Sequence, residues 1–187
     1  KNRYYTDNSP DFHSYSISGS GDHTYHTDNN IIPACKYSYR VSAKNSAGVS
    51  SSVSNEILLV TLPVAPQLNL VSAEYDQVVL NIIDNENYNP HYEISKTKVI
   101  NSFPTHYTYS TSSSGEYTDN EIEPQTDYYY QVVSINENGT TSMGVSNQIH
   151  ITTPSIPSPE PPDLTTVSVG ADYITVEVSD SYNTNID

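Results

Sequence analysis

The sequence predicts an all-β chain of tandem antiparallel β-sandwiches, and three observations lead to this fold class. Residues 27–48 recur as residues 118–139, with Thr-Asp-Asn, Ile, Pro, Tyr-x-Tyr-x-Val and Asn-x-x-Gly in the same order. In the earlier copy Tyr37, Tyr39 and Val41 alternate with polar side chains, which is the period of a strand with one buried face and one solvated face. No segment carries apolar residues at helical spacing over two turns.

Residues 64–155 contain a complete set of strands. The predicted strands are runs of apolar and β-branched residues that are bounded by turn residues. They are residues 68–72, 78–83, the run that opens at 92–94, 103–111, 128–133 and 145–152. A set of this length suits one sandwich module, which needs roughly 90–100 residues.

The segments on either side each carry part of the same pattern. Residues 1–63 hold the later strands, with a middle strand at 12–17 and a last strand at 53–61, but nothing that would form the first two strands. Residues 156–187 begin with a proline-rich spacer, whose composition favours an extended polyproline conformation. Two strands follow that repeat the first two strands of the complete set. The predicted domains are therefore residues 1–63, 64–155 and 156–187.

The repeated segment resembles the fibronectin type III module, an immunoglobulin-like β-sandwich. The shared motif is Ile-x-Pro-x-Thr-x-Tyr, then alternating apolar residues, Asn-x-x-Gly, and a Ser-Asn pair before the last strand. In the later copy its residues are Ile122, Pro124, Thr126, Tyr128, Tyr130, Val132, Asn136, Gly139, Ser146 and Asn147. The resemblance implies that Tyr37 and Tyr128 are tyrosine corners, each with a buried ring and a hydroxyl bonded to nearby backbone. Cys35 replaces the motif's Thr, and Ile82 stands where the family has a Trp.

The two partial segments complement each other. Phe12 and Phe103 are 91 positions apart and Pro66 and Pro162 are 96 apart, which together equal the 187 residues of the chain. We therefore expect a head-to-tail arrangement, in which the last two strands of one copy complete the first module of another. An adjacent module of one long repetitive chain would satisfy the same pattern. The candidate donor residues are Leu164, Val167, Ile174, Val176 and Val178.

Composition limits the partners and the location. The formal net charge is -15, and all seven Lys and Arg residues lie at or before Lys98. Nucleic acids and anionic membrane surfaces both need a cationic footprint, so neither is an expected partner. No apolar run reaches 18 residues, and none follows residues 1–3, so neither membrane insertion nor a signal peptide is predicted. The 17 tyrosines and the many Ser, Thr and Asn residues suit an extracellular or cell-surface β-protein.

No catalytic constellation is recognisable, so we predict that the chain is not an enzyme and has no catalytic residues. His23 and His26 lie three positions apart, and on a strand such side chains point to opposite faces rather than converging on a metal. Residues 84–87 could collect calcium, but they lack the spacing of a dedicated calcium loop, so no metal site and no cofactor is predicted. Asn138 begins Asn-Gly-Thr, a glycosylation acceptor sequence.

The outer face of the later copy carries an apolar patch. Tyr129, Val133 and Ile135 stand where the earlier copy has polar residues. Such a patch predicts contact with a neighbouring module or chain. The alternative is that Ile135, near the end of its strand, is covered by the turn that follows it.

Two classes of function fit these observations. In the first, the chain is a non-catalytic structural or adhesive repeat unit of an extracellular filament, stalk or surface assembly. In the second, it consists of spacer modules of a larger secreted polysaccharide-degrading enzyme. The fold resemblance alone does not separate them, because one scaffold serves many functions. A carboxylate-bearing catalytic domain in the flanking sequence would indicate the second.

Overall fold

The computed structural model describes residues 25–179 and, before them, the strands β1 (Asn2–Tyr4) and β2 (Pro10–Phe12). Every helix or strand in these parts of the chain is a β-strand, which confirms the predicted all-β fold class. The other strands are β3 (Lys36–Tyr39), β4 (Ile57–Val60), β5 (Gln67–Ala73), β6 (Val78–Ile83), β7 (His91–Ile100), β8 (Phe103–Thr111), β9 (Gly115–Asp119), β10 (Asp127–Ile135), β11 (Ile149–Thr152), β12 (Asp163–Val169) and β13 (Ile174–Ser179). Beyond Phe12, the strand predicted at residues 12–17 lies outside the described residues.

Strands β5 to β11 form a complete sandwich of two antiparallel sheets. One sheet has the strand order β5-β6-β9 and the other has the order β11-β10-β7-β8. Alternate side chains of a strand point to opposite faces, and every second residue of β6 and β10 is accordingly buried. The core consists of Leu68, Val78, Leu80, Ile82, Tyr92, Ile94, Tyr128, Tyr130, Val132 and Ile151. This is an immunoglobulin-like β-sandwich, the fold class that the repeated motif predicts.

Strand β9 was absent from the sequence prediction. Its residues are Gly-Glu-Tyr-Thr-Asp, of which only Tyr117 has a large apolar surface. The strand forms because it pairs along β6, from Val78 opposite Asp119 to Ile82 opposite Gly115. Pairing with a distant strand, rather than local periodicity, therefore determines this element.

The described strands of the first module form one four-stranded sheet with the order β2-β1-β3-β4. This order repeats β8-β7-β10-β11 of the complete sandwich. Tyr37 on β3 pairs with Leu59 on β4, as Tyr128 on β10 pairs with Ile151 on β11. The first sheet therefore corresponds, strand for strand, to the four-stranded sheet of the complete sandwich.

The segment Ser155–Asp187 is a separate unit whose described strands, β12 and β13, form an antiparallel hairpin. Leu164 pairs with Val178, as Leu68 pairs with Ile82 in the complete sandwich. In both hairpins the register shifts two residues further along the first strand. The β12–β13 hairpin is therefore a copy of the β5–β6 hairpin, 96 positions later in the sequence.

A hydrogen-bonded joint holds the linker between the first sheet and the complete sandwich, and Lys1–Pro154 form one compact unit. The Val64 N–H donates to Asn87 Oδ1 at 2.8 Å, and the Val64 carbonyl accepts from Asn87 Nδ2 at 2.8 Å. The same carbonyl accepts from Ser134 Oγ at 2.5 Å. Asn87 is fixed in turn by the Asp84 carboxylate, which accepts from its backbone N–H and its side-chain amide. Two residues of the loop considered above as a calcium ligand set, Asp84 and Asn87, thus use their side-chain oxygens within this joint.

Candidate functional site

The two predicted tyrosine corners have the same geometry. The Tyr37 hydroxyl accepts a hydrogen bond from the Ile32 N–H at 2.6 Å, and the Tyr128 hydroxyl accepts one from the Glu123 N–H at 2.8 Å. Each bond reaches back five residues, and both rings are buried. Both copies of the repeated segment therefore have the same local fold, whether or not a second sheet covers them.

The following tyrosine in each copy binds an aspartate of the Thr-Asp-Asn motif. Tyr39 donates its hydroxyl hydrogen to Asp28 Oδ2 at 3.0 Å, and Tyr130 donates to Asp119 Oδ2 at 2.8 Å. Because the two bonds are equivalent, the repeated Thr-Asp-Asn is a structural motif of the strand-to-strand connection. Its aspartate connects the segment that precedes the tyrosine corner to the strand that follows the corner.

Lys96 completes a buried ionic cluster in the complete sandwich. Its ammonium lies 2.7 Å from Asp119 Oδ2, with the Lys96 and Asp119 side chains only 1% and 2% exposed. It also donates to the Glu121 carbonyl at 2.6 Å and lies 5.4 Å from the ring centre of Tyr109. The carboxylate and the ammonium are both satisfied, which such deep burial of charge requires. Alternation with Tyr92 and Ile94 places Lys96 on the inner face of β7, but sequence analysis missed the cluster because its partner Asp119 lies 23 positions later in the chain.

We expect the complete sandwich to lose stability in alkali. Burial raises the pKa of Tyr117 to about 12 and also raises the pKa values of Tyr92, Tyr109, Tyr128 and Tyr130. An unfolded tyrosine has a pKa near ~10, so the protonated folded state is fully favoured below that pH and progressively less so as the pH rises above it. The urea midpoint should therefore fall between about pH 10 and pH 12. Tyr117→Phe should make the decline shallower, and an unchanged midpoint across this range would contradict the prediction.

The inner face of the first sheet exposes apolar side chains whose counterparts in the complete sandwich are buried. Val41 is 60% exposed, whereas Val132 at the same position of the repeat is 0% exposed. Leu59 is 53% exposed, whereas its counterpart Ile151 is 5% exposed. We call the inner face of this sheet, formed by Tyr37, Tyr39, Val41, Ile57 and Leu59, the acceptor face.

The β12–β13 hairpin exposes a complementary set, which we call the donor face. Leu164 is 67% exposed and Val176 is 47% exposed, whereas their counterparts Leu68 and Leu80 are 0% exposed. Ile174 and Val178 are likewise exposed, and their counterparts Val78 and Ile82 are buried. The donor face consists of Leu164, Ile174, Val176 and Val178.

Val167 belongs with the predicted donor residues by sequence, but its counterpart behaves differently. Val71, which occupies the same position of the β5–β6 hairpin, remains exposed in the complete sandwich. It lies at the register shift between Leu70 and Ser72, where the ladder is locally disrupted and strict alternation ends. Val167 sits at the equivalent shift, between Thr166 and Ser168. We therefore leave Val167 out of the donor face.

The donor and acceptor faces resemble the corresponding parts of the complete core in side-chain volume as well as in position. Relative to the complete core, the hairpin has Ile174 for Val, Val176 for Leu and Val178 for Ile, with Leu164 unchanged, a net loss of one methylene group. The acceptor face differs only in Leu59 for Ile. Protein cores tolerate volume-conserving exchanges far better than net changes in volume. The two faces supply eight of the ten positions of such a core, and at these positions the total side-chain volume would be nearly that of the core already present.

The edge beside the acceptor face carries a Ser-Asn pair with the same geometry as its counterpart in the complete sandwich. The Val41 N–H donates to Ser54 Oγ at 3.0 Å, and Ser54 Oγ donates to the Asn55 carbonyl at 2.7 Å. The equivalent bonds at Val132, Ser146 and Asn147 measure 2.9 Å and 2.7 Å. The backbone at Asn55 is therefore held by the same two hydrogen bonds as the backbone at Asn147.

The outer-face patch is half-buried. Tyr129, Val133 and Ile135 all have intermediate exposure, and the Tyr129 ring stacks on His150 with 4.4 Å between ring centres. Ile135 forms a bridge with Thr141 across the following turn. Contact of this patch with a neighbouring module or chain stays a prediction.

The other sequence candidates are placed as follows. Asn138 lies exposed in the turn after β10, and Cys35 is buried beside the first corner. His23 lies outside the described residues. In the part of the chain that the structure describes, no three His, Cys, Asp or Glu side chains are arranged to hold a metal ion. No helix in the described ranges is long and apolar enough to cross a membrane.

Comparison with known proteins gives structural neighbours only. No protein-family model matches the chain, and no curated protein matches it. The chain is similar to the FN5 domain of Drosophila Lar, at 18% identity over 50% of this chain and 99% of that one, with a TM-score of 0.42. It is also similar to the FN1–FN3 domains of chicken CNTN1, at 17% identity over 70% of this chain and 46% of that one, with a TM-score of 0.41. The strand order and corner geometry described above, not these scores, define the class of fold.

Proposed function

We propose that this chain is a non-catalytic structural or adhesive repeat unit that acts outside the cell and assembles head to tail. Each copy donates its β12–β13 hairpin to the acceptor face of the next copy. The observation that carries the proposal is the paired exposure of the two faces, since every donor-face position is buried at the equivalent place in the complete sandwich. Equivalents of residues that fill the complete core are therefore exposed at two other places in the chain.

Physical chemistry favours covering these faces. Burial of apolar surface stabilises by roughly 25 cal/mol per Å², and exposed contiguous apolar patches mark interaction sites. A two-stranded hairpin is marginally stable in water by itself, and it gains stability when its apolar face packs on another sheet. Because donor and acceptor are different surfaces, the contact is heterologous and propagates into an open chain of copies. An extended assembly of this kind suits a filament or stalk.

Two blocked variants of the full chain test the proposal. Val41→Asp places a charge on the acceptor face, and Val176→Asp places one on the donor face. Sedimentation velocity should show concentration-dependent polymers for the unmodified chain and monomers for each variant alone. An equimolar mixture should give a heterodimer, because the intact donor of the first variant can enter the intact acceptor of the second.

Matched controls place the same charge on the opposite faces of the same segments. Ser42→Asp and Thr175→Asp alternate with the tested residues and should leave assembly unchanged. A monomeric unmodified chain, or a mixture of blocked variants that stays monomeric, would overturn head-to-tail donation. Closure of the hairpin onto its own chain would produce the first of these results, a monomeric unmodified chain.

A further inference from the structure

Asn147 joins the two sheets of the complete sandwich through the backbone of Leu68. Its side-chain Oδ1 accepts from the Leu68 N–H at 3.0 Å, and its Nδ2 donates to the Leu68 carbonyl at 2.7 Å. Leu68 lies on β5, an edge strand of the three-stranded sheet, and Asn147 precedes β11 at the edge of the other sheet. One amide thus satisfies both backbone groups that Leu68 directs away from β6.

Asn55 is the counterpart of Asn147 beside the acceptor face. The Ser54 bonds described above present it on the same backbone geometry. Its side chain is exposed, and no hydrogen bond of its amide to another described residue is observed. On the donor hairpin, Leu164 is the counterpart of Leu68 and pairs with Val178 in the same register. Its N–H and carbonyl therefore lie on the free edge of β12.

We infer that Asn55 is the recognition residue for the donated hairpin and binds the N–H and carbonyl of Leu164 of a second copy of this chain. The inference rests on the proposed function and names the contact that fixes how the hairpin enters. A strand that slips by one residue turns its apolar side chains to the wrong face. An amide that pairs with both backbone groups of one residue selects a single register, so Asn55 positions Leu164, Val176 and Val178 over the acceptor face.

The test measures binding between the two blocked variants, so that only one contact forms. Val41→Asp provides the donor, and Val176→Asp provides the acceptor, with or without Asn55→Ala. Loss of two neutral hydrogen bonds should weaken the heterodimer by roughly 10- to 30-fold. Asn55→Asp keeps the acceptor oxygen but places a carboxylate against the Leu164 carbonyl, so it should weaken binding at least as much. Both substitutions lie on an exposed side chain and should leave the thermal midpoint of the acceptor unchanged.

Asn147→Ala in the acceptor is the matched control. It removes the same chemistry from the complete sandwich, so it should lower the thermal midpoint and leave heterodimer affinity within about twofold. If the blocked variants bind each other and Asn55→Ala changes the affinity less than twofold, the inference is wrong and the proposed function stands. If the blocked variants do not bind at all, the proposed function itself fails.

Discussion

Replacement of Lys96 by Met is expected to destabilise the complete sandwich by about 3–5 kcal/mol. The substitution keeps an unbranched side chain, one heavy atom shorter than lysine, and removes the ammonium that lies 2.7 Å from Asp119 Oδ2. Asp119 would then keep only neutral donors, the Tyr130 hydroxyl and the Glu121 N–H, in a site almost closed to water. A buried charge that loses its partner costs far more than an exposed pair contributes. Urea denaturation of the full chain measures the change.

Two further variants show whether the cost comes from the unpaired charge. Lys98→Met removes the neighbouring lysine of β7, whose partner Glu123 is largely exposed, and should cost at most about 1 kcal/mol. The double variant Lys96→Met with Asp119→Asn removes both charges and keeps an acceptor for the Glu121 N–H. It should recover a substantial part of the lost free energy. A Lys96→Met cost below about 1 kcal/mol would show that the pair is not an isolated buried one.

Leu80→Ala and Val176→Ala are expected to act on different equilibria, although they change equivalent positions. Leu80 is buried in the complete core, so its truncation should cost about 2–5 kcal/mol at any protein concentration. Val176 is exposed on the hairpin, so its truncation should leave the unfolding of the monomer unchanged. When Val176→Ala is combined with Val41→Asp in the donor chain, its binding to the Val176→Asp acceptor should instead weaken about tenfold. The reason is the loss of roughly two buried methyl groups.

The two readouts separate packing from assembly. Denaturant titration at a concentration where the chain is monomeric reports on Leu80, and sedimentation of the mixed variants reports on Val176. A Val176→Ala variant that loses monomer stability as Leu80→Ala does would show that the hairpin is already packed within its own chain. That result would contradict donation between copies.

The sequence by itself determined the features that repeat or alternate over short distances. Two copies of Thr-Asp-Asn and Tyr-x-Tyr-x-Val predict two equivalent strands, and the side-chain period assigns a buried face to each. The likeness of the β12–β13 segment to β5–β6 is also visible in the letters alone. These features are local, because the strand period and the corner bond involve residues at most a few positions apart.

Other features were decided only by the tertiary structure, because they depend on residues far apart in the chain. Lys96 is buried since β7 places it beside Tyr130 and opposite Asp119, and no local pattern distinguishes it from Lys98. Val71 lies at a register shift that arises from pairing between β5 and β6, and only the structure shows that it stays exposed while Leu68 is buried. The Asn147–Leu68 pair spans 79 positions, and only the packing of two sheets brings its partners together.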